Sequence, residues 1–134
     1  ALKRRFAFSE GDFDFGGFTA HIRLCDAENA SFGKDCASIL FIDGSKVGKN
    51  AELRIRKDGD RFAPFGGGMR KLKEFFIDKK IPSSLRDFIP LLCEENAVLA
   101  VFGVEISRAL KLEPDSKKAY KLWLTDEKGE IWKG

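Results

Sequence analysis

The chain has 134 residues, with 24 Lys and Arg against 21 Asp and Glu for a net charge of +3, which leaves room for one ordinary domain rather than two. At 43% hydrophobic and 34% charged it can fill a single core without a metal or disulfide staple. No apolar run of about 18 residues occurs, and the basic start Leu2-Lys3-Arg4-Arg5 leads into an alternating segment. Neither a membrane span nor a secretion signal is therefore expected, and the setting is read as reducing and cytoplasmic. Cys25, Cys36 and Cys93 are odd in number and form no CxxC pair, so they read as buried free thiols and no metal site is expected. The first residue is Ala1 rather than Met, which suggests a processed protein or a piece of a longer one.

In chain order, Lys3 to Phe8, Phe18 to Leu24, Ser38 to Ile42 and Glu52 to Lys57 alternate or run apolar between Gly, Asp or Asn residues, and read as strands. In the last of them Leu53 and Ile55 share one face. The opposite face would present Arg54 and Arg56 side by side to solvent. Asp58-Gly59 supplies a tight turn. Met69, Leu72, Phe75 and Phe76 then recur at helical spacing, which predicts a helix over 69–80 with Arg70, Lys73, Ile77 and Lys80 along one edge.

Gly66-Gly67-Gly68 immediately precedes that helix. The triplet reads either as an anion site of free backbone N–H groups at the positive end of the helix, or as a turn needing positive φ. Ile81-Pro82 should end the helix, and Ser83 could cap a short helical turn over 83–88. Pro90 to Cys93 and Ala97 to Phe102 suggest a buried hairpin around Glu94-Glu95-Asn96. Ala119 to Thr125 and Ile131 to Trp132 suggest a final one. The fold class that follows is α+β: a β-rich layered domain of mainly antiparallel strands with one main helix.

Charge is unevenly placed. Between Arg54 and Arg86 there are ten basic residues and four acids, a local balance of +6, so the rest of the chain sums to −3. Such a block is either a phosphate-facing patch or an ordinary solvated face. Catalytic chemistry is harder to find. His21 alternates on a strand, Lys57-Asp58-Gly59-Asp60-Arg61 has turn composition rather than that of a metal clip, and neither GxxxxGK[ST] nor GxGxxG is present. No catalytic residue and no metal ligand is assigned.

The segment Arg56-Lys57-Asp58-Gly59-Asp60-Arg61-Phe62-Ala63-Pro64-Phe65-Gly66, then Arg70-Lys71-Leu72-Lys73-Glu74-Phe75-Phe76-Ile77-Asp78-Lys79-Lys80-Ile81-Pro82, then Leu85-Arg86, resembles the C-terminal domain of tRNA(Ile)-lysidine synthetase. Ile89-Pro90-Leu91 and Val101-Phe102-Gly103-Val104-Glu105-Ile106-Ser107 are similar to its continuation, and Phe41-Ile42-Asp43 to a strand upstream of it. Arg70 departs from the family's first Lys of a Lys-Lys pair, keeping the charge with a better bidentate phosphate donor. Phe102 departs in the Val-x-Gly turn.

The resemblance implies a tRNA-binding domain, residues 1–134, of a larger ligase whose adenylating domain, with its Ser-Gly-Gly-x-Asp-Ser loop, is not in this chain. It implies that the whole enzyme uses ATP and Mg²⁺ to join lysine to C2 of the wobble cytidine of a CAU anticodon. This part would hold the acceptor stem of tRNA(Ile) and be inactive alone. The candidate RNA contacts are Arg54, Arg56, Arg61, Arg70, Lys71, Lys73, Lys79, Lys80 and Arg86, with the backbone of Gly66, Gly67 and Gly68 as an anion site. Asp60 and Asp78 are expected to orient these cations. Phe62, Pro64 and Phe65 read as buried anchors of the turn in preference to base-stacking groups. The alternative is a protein-interaction or dimerisation module without RNA binding, its partner a second copy or the adenylating domain.

Overall fold

Among the described residues two β-sheets share one core, and a single α-helix closes part of it. The computed structural model describes residues 4–30 and 38–134; Lys3 and Cys36, expected in a strand and as a buried thiol, lie outside them. In chain order the elements are β1 (Arg5–Ala7), β2 (Gly11–Asp14), β3 (Thr19–Asp26), β4 (Leu40–Asp43), β5 (Glu52–Arg54), β6 (Arg61–Phe62), β7 (Arg70–Lys71), α1 (Leu72–Asp78), β8 (Leu91–Glu94), β9 (Ala97–Val101), β10 (Glu105–Ile106) and β11 (Lys118–Thr125). One sheet runs β1-β5-β8-β9-β6-β7 with β10 also on β9; the other runs β2-β3-β11-β4. Every pairing is antiparallel except β6 with β9. The α+β, β-rich architecture expected from the sequence is the one observed.

Alternation explains the smaller sheet. Ala20 and Ile22 of β3 lie opposite Leu124 and Leu122 of β11 and all four are buried, while His21 and Trp123 occupy the other face. In the larger sheet, Leu53 of β5 pairs with Leu92 of β8, and Leu92 with Ala100 of β9, forming a fully buried row. Phe15, Phe62, Phe75, Phe76 and Phe102 join side chains of both sheets in one cluster. Each such ring stabilises the fold by roughly 1.5–3 kcal/mol relative to exposure.

Several expectations need correction. The strand that begins at Glu52 stops at Arg54, where its pairing with Arg5 of β1 and Leu91 of β8 ends. β2 has no counterpart in the sequence reading; its Asp12 and Asp14 mask a strand that pairs with His21 and Thr19 of β3. The helix starts at Leu72, since Arg70 and Lys71 pair with Phe62 and Arg61 in a hairpin and the Leu72 N–H donates to the Asp60 carbonyl at 3.0 Å. Met69 is therefore not on the helix and is 55% exposed.

Nor does the helix run through Lys80. It ends at Asp78 in a Schellman turn: Ile81 N–H donates to the Phe76 carbonyl (3.1 Å) and Lys80 N–H to that of Ile77 (3.0 Å), with Lys80 at φ 57° where glycine is usual. Residues 83–88 form successive hydrogen-bonded turns, and their first acceptor is the Pro82 carbonyl rather than the Ser83 side chain.

Candidate nucleic-acid interface

The link from β5 to β6 is built around a buried ion pair. Arg54 follows Leu53, so the pleat sends its side chain to the opposite face. That face is not solvent: the side chain is 2% exposed. Its Nη1 donates to Asp60 Oδ2 (2.9 Å) and the Ile55 carbonyl (3.0 Å), and its Nη2 to Asp60 Oδ1 (2.9 Å) and the Glu95 carbonyl (2.7 Å). The Nε lies 3.5 Å from Glu52 Oε1 without a hydrogen bond. The hydrogen bonds that Arg54 donates to Asp60 raise the guanidinium pKa further, against the opposing effect of burial. Arg54 is thus no surface contact, which corrects its place among the RNA candidates.

Asp60 also accepts the Lys57 N–H (2.8 Å), closing the Lys57–Asp60 turn, which Gly59 completes at φ 88°. Its carbonyl holds the start of α1. The Arg54–Asp60 pair thereby ties β5, the turn, the helix start and the tip of the β8–β9 hairpin into one frame, the helix start through the Asp60 carbonyl and the hairpin tip through Arg54. Cys93 lies beside Arg54, where burial pushes its thiol up to about 12. Cys25, also expected to be buried, is only half-buried.

On this frame stands a cleft of about 640 Å³. The turn contributes Arg56, Lys57, Asp58 and Arg61, the helix start Lys71 and Lys73, and the 83–88 segment Arg86 and Asp87. Six cations face it. Of its three carboxylates, Asp60 is bound to Arg54, and Asp87 accepts from Arg56 Nε at 2.7 Å. Arg86 Nε donates to the Ile81 carbonyl at 2.9 Å. Lys57, Arg61, Lys71 and Lys73 enter no ion pair among the described residues and are exposed. Several unneutralised cations around one concavity make a field that attracts a polyanion and repels other cations. Lys57 belongs to the basic block but lies outside the contacts expected from the sequence; its position before Asp58-Gly59 is the available signal.

The other candidates lie elsewhere. Arg70 and Lys79 line a second hollow with Gly66 and Gly67, and both are engaged, Arg70 with Asp78 and Lys79 with Glu105 at 3.2 Å. Asp78 thus orients a cation, as expected. Lys80 is exposed at the helix end, outside both hollows.

The glycine triplet does not enter the helix. Met69, Arg70 and Lys71 intervene, so Gly66, Gly67 and Gly68 form no N-terminal anion site. Nor do they adopt positive φ. Phe62 is fully buried and Pro64 half-buried, but Phe65 is 49% exposed, against the expectation of a buried anchor. His21 lies between the Asp12 carboxylate (2.7 Å from Nδ1) and the Thr125 hydroxyl (2.8 Å from Nε2) on the face of the smaller sheet away from the core. Among the described residues no cluster of three or more His, Cys, Asp or Glu could hold a metal.

A β-rich domain that gathers cations on a β-turn and a helix start is the class of protein defined so far, and comparison with known proteins narrows it. Residues 51–123 match the family described as "TilS substrate C-terminal domain". The chain belongs to that family. It is 41% identical over 97 residues to the tRNA(Ile)-lysidine synthase of Clostridium tetani, covering 72% of this chain and 21% of that protein. With the tRNA(Ile)-lysidine synthase of Caldanaerobacter subterraneus subsp. tengcongensis it shares 40% over 90 residues, 66% of this chain and 19% of that one. The fold matches a "Crystal structure of TILS C-terminal domain" with a TM-score of 0.76 at 24% identity, over 92% of this chain and 96% of that one. The chain spans about a fifth of the length of the curated relatives it matches.

Proposed function

We propose that the cleft binds the phosphate backbone of tRNA(Ile) with a CAU anticodon, at its acceptor stem, as the substrate-holding part of a tRNA(Ile)-lysidine synthase. The observation that carries this reading is the convergence of Lys57, Arg61, Lys71 and Lys73, without acidic partners, on one cleft. A-form RNA displays phosphates and 2′-hydroxyls and hides its major-groove edges, so a stem is held by spaced cations of this kind. Arg56 and Arg86, each fixed by a second contact, suit directed phosphate contacts. In the full-length enzyme ATP and Mg²⁺ would be held by the adenylating domain, and this chain alone would turn over no ATP. A cytoplasmic location follows from a tRNA substrate.

Titration of labelled tRNA bearing CAU against salt tests the proposal. About four phosphate contacts give a slope of log affinity on log salt near −3 to −4. Lys73→Glu should lower both affinity and slope. Binding no tighter than to a random acidic polymer of similar length, or a Lys73→Glu variant indistinguishable from the parent, would overturn the proposal.

One observation favours a second reading, docking of protein. Across the 83–88 segment from the cleft, a hollow of about 680 Å³ is lined by Phe18, Leu85, Phe88 and Trp132, with Asp126, Glu127 and Glu130 also on its lining. A partner seated there, whether a second copy or the adenylating domain, would bind with little dependence on salt.

A further inference from the structure

We propose that Phe65 is a stacking post for an unpaired nucleobase of the RNA whose phosphates run through the cleft, an inference that rests on the RNA reading above. Phe65 sits at the tip of the hairpin joining β6 to β7. The base of the same hairpin, where Arg61 pairs with Lys71, is a wall of the cleft. Phe65 is four positions on from Arg61, so their Cα atoms stand at most about 14 Å apart. A strand leaving the cleft could bring a base to it.

The tip is held rather than loose. The Phe65 N–H donates to Glu105 Oε2 at 2.9 Å, Gly67 N–H closes a turn on the Pro64 carbonyl at 3.3 Å, Pro64 bridges to Ser107, and Arg108 donates to the Gly67 carbonyl. This framework fixes the backbone of an aromatic residue whose side chain it does not bury. A fixed, exposed ring loses little freedom on binding, which suits recognition.

The neighbouring glycines point the same way. Gly66, Gly67 and Gly68 have φ values open to any residue, and a Cβ added at Gly66 or Gly68 would meet no atom within 4 Å. Neither backbone strain nor crowding inside the domain requires glycine there. What their bareness does provide is unobstructed access beside Phe65 for a flat ring. Arg70, Lys79 and Arg108 stand about the tip against the carboxylates of Asp78 and Glu105, a net charge of about +1 beside the phosphate attached to that base.

Two RNA hairpins of the same stem test this, one blunt and one with a short single-stranded 3′ overhang carrying 2-aminopurine. Phe65→Ala should weaken overhang binding about tenfold, abolish the quenching of 2-aminopurine, leave the blunt stem and the salt slope unchanged, and melt like the parent. Phe65→Tyr should bind normally and Phe65→Leu should not. Gly66→Ala with Gly68→Ala should melt no lower than the parent yet bind the overhang less well.

Equal binding of the overhang by Phe65→Ala and the parent, or an equal loss on the blunt stem, overturns the inference. So does sedimentation showing a parent dimer that Phe65→Ala separates. If Lys73→Glu weakens both hairpins while Phe65→Ala weakens neither, only the stacking post falls. If the parent shows no salt-dependent binding to either, the RNA reading falls with it.

Discussion

Each sheet region buries one aspartate, and the two are satisfied in opposite ways. In the smaller sheet Asp43, at the end of β4, accepts from neutral donors: Ser45 N–H (2.9 Å), Ser45 Oγ (2.7 Å) and Ser116 Oγ (2.7 Å). Beside the cleft Asp60 accepts from the guanidinium of Arg54, which is itself inside the protein. Neutral donors leave a carboxylate replaceable at modest cost. A buried cation does not, because removing its partner strands a charge away from water. The region that presents surplus positive charge outward thus rests on an internal pair that is neutral overall, and the geometry of its turn depends on that pair.

The largest expected effect tests this dependence. Asp60→Asn should cost about 3–5 kcal/mol, seen as a fall in melting temperature of roughly 10 °C or more. Arg54→Met combined with Asp60→Leu should recover most of the loss, since two apolar groups leave no stranded charge; a double variant as unstable as Asp60→Asn would break the contrast. Asp43→Asn should cost less, about 1–2 kcal/mol in chemical denaturation.

Its effect on acid sensitivity is also set by sign. The Ser116 and Ser45 hydrogen bonds hold the Asp43 carboxyl below its ordinary value. Its contribution is full above the unfolded-state value of about 3.9 and is lost as pH falls through the lower folded-state value. Melting temperature below about pH 4 should therefore fall less steeply in Asp43→Asn than in the parent.

Two smaller effects sharpen the picture of the cleft. Lys80→Gly relieves a left-handed backbone and should raise stability by about 1 kcal/mol, leaving the salt slope of tRNA binding unchanged because Lys80 lies outside the cleft. Lys73→Ala should change stability by less than about 0.5 kcal/mol but reduce that slope by about one. The same melts and titrations separate residues that hold the cleft from residues that face it.

How much was legible in the sequence follows from how local each signal is. The β8–β9 hairpin and the strands around Ile22 and Leu122 were readable because apolar alternation needs no knowledge of partners. The basic block between Arg54 and Arg86 was readable as a surplus, but its sorting was not. Arg54 alternates like a surface residue, and only the carboxylate six positions on draws it inward. Helical periodicity included Met69 because a hydrophobic count cannot see that Arg70 and Lys71 are taken by the strand of Arg61 and Phe62. β2 was missed since an aspartate-rich tetrapeptide is a strand only beside β3. Phe65 read as core because thirteen phenylalanines invite that reading, whereas the pinned hairpin tip holds it outside.

The position of β11 carries a consequence for synthesis. It is the last strand in chain order, yet it lies between β3 and β4, pairing with Thr19–Asp26 on one side and Leu40–Asp43 on the other. Until it emerges, those strands have no common neighbour and the edges that face β11 stay unpaired. A ribosome-bound chain ending before Lys118 should therefore remain protease-sensitive at β3 and β4 however long it waits. Protection should arrive there in one step, once β11 is free to pair with both.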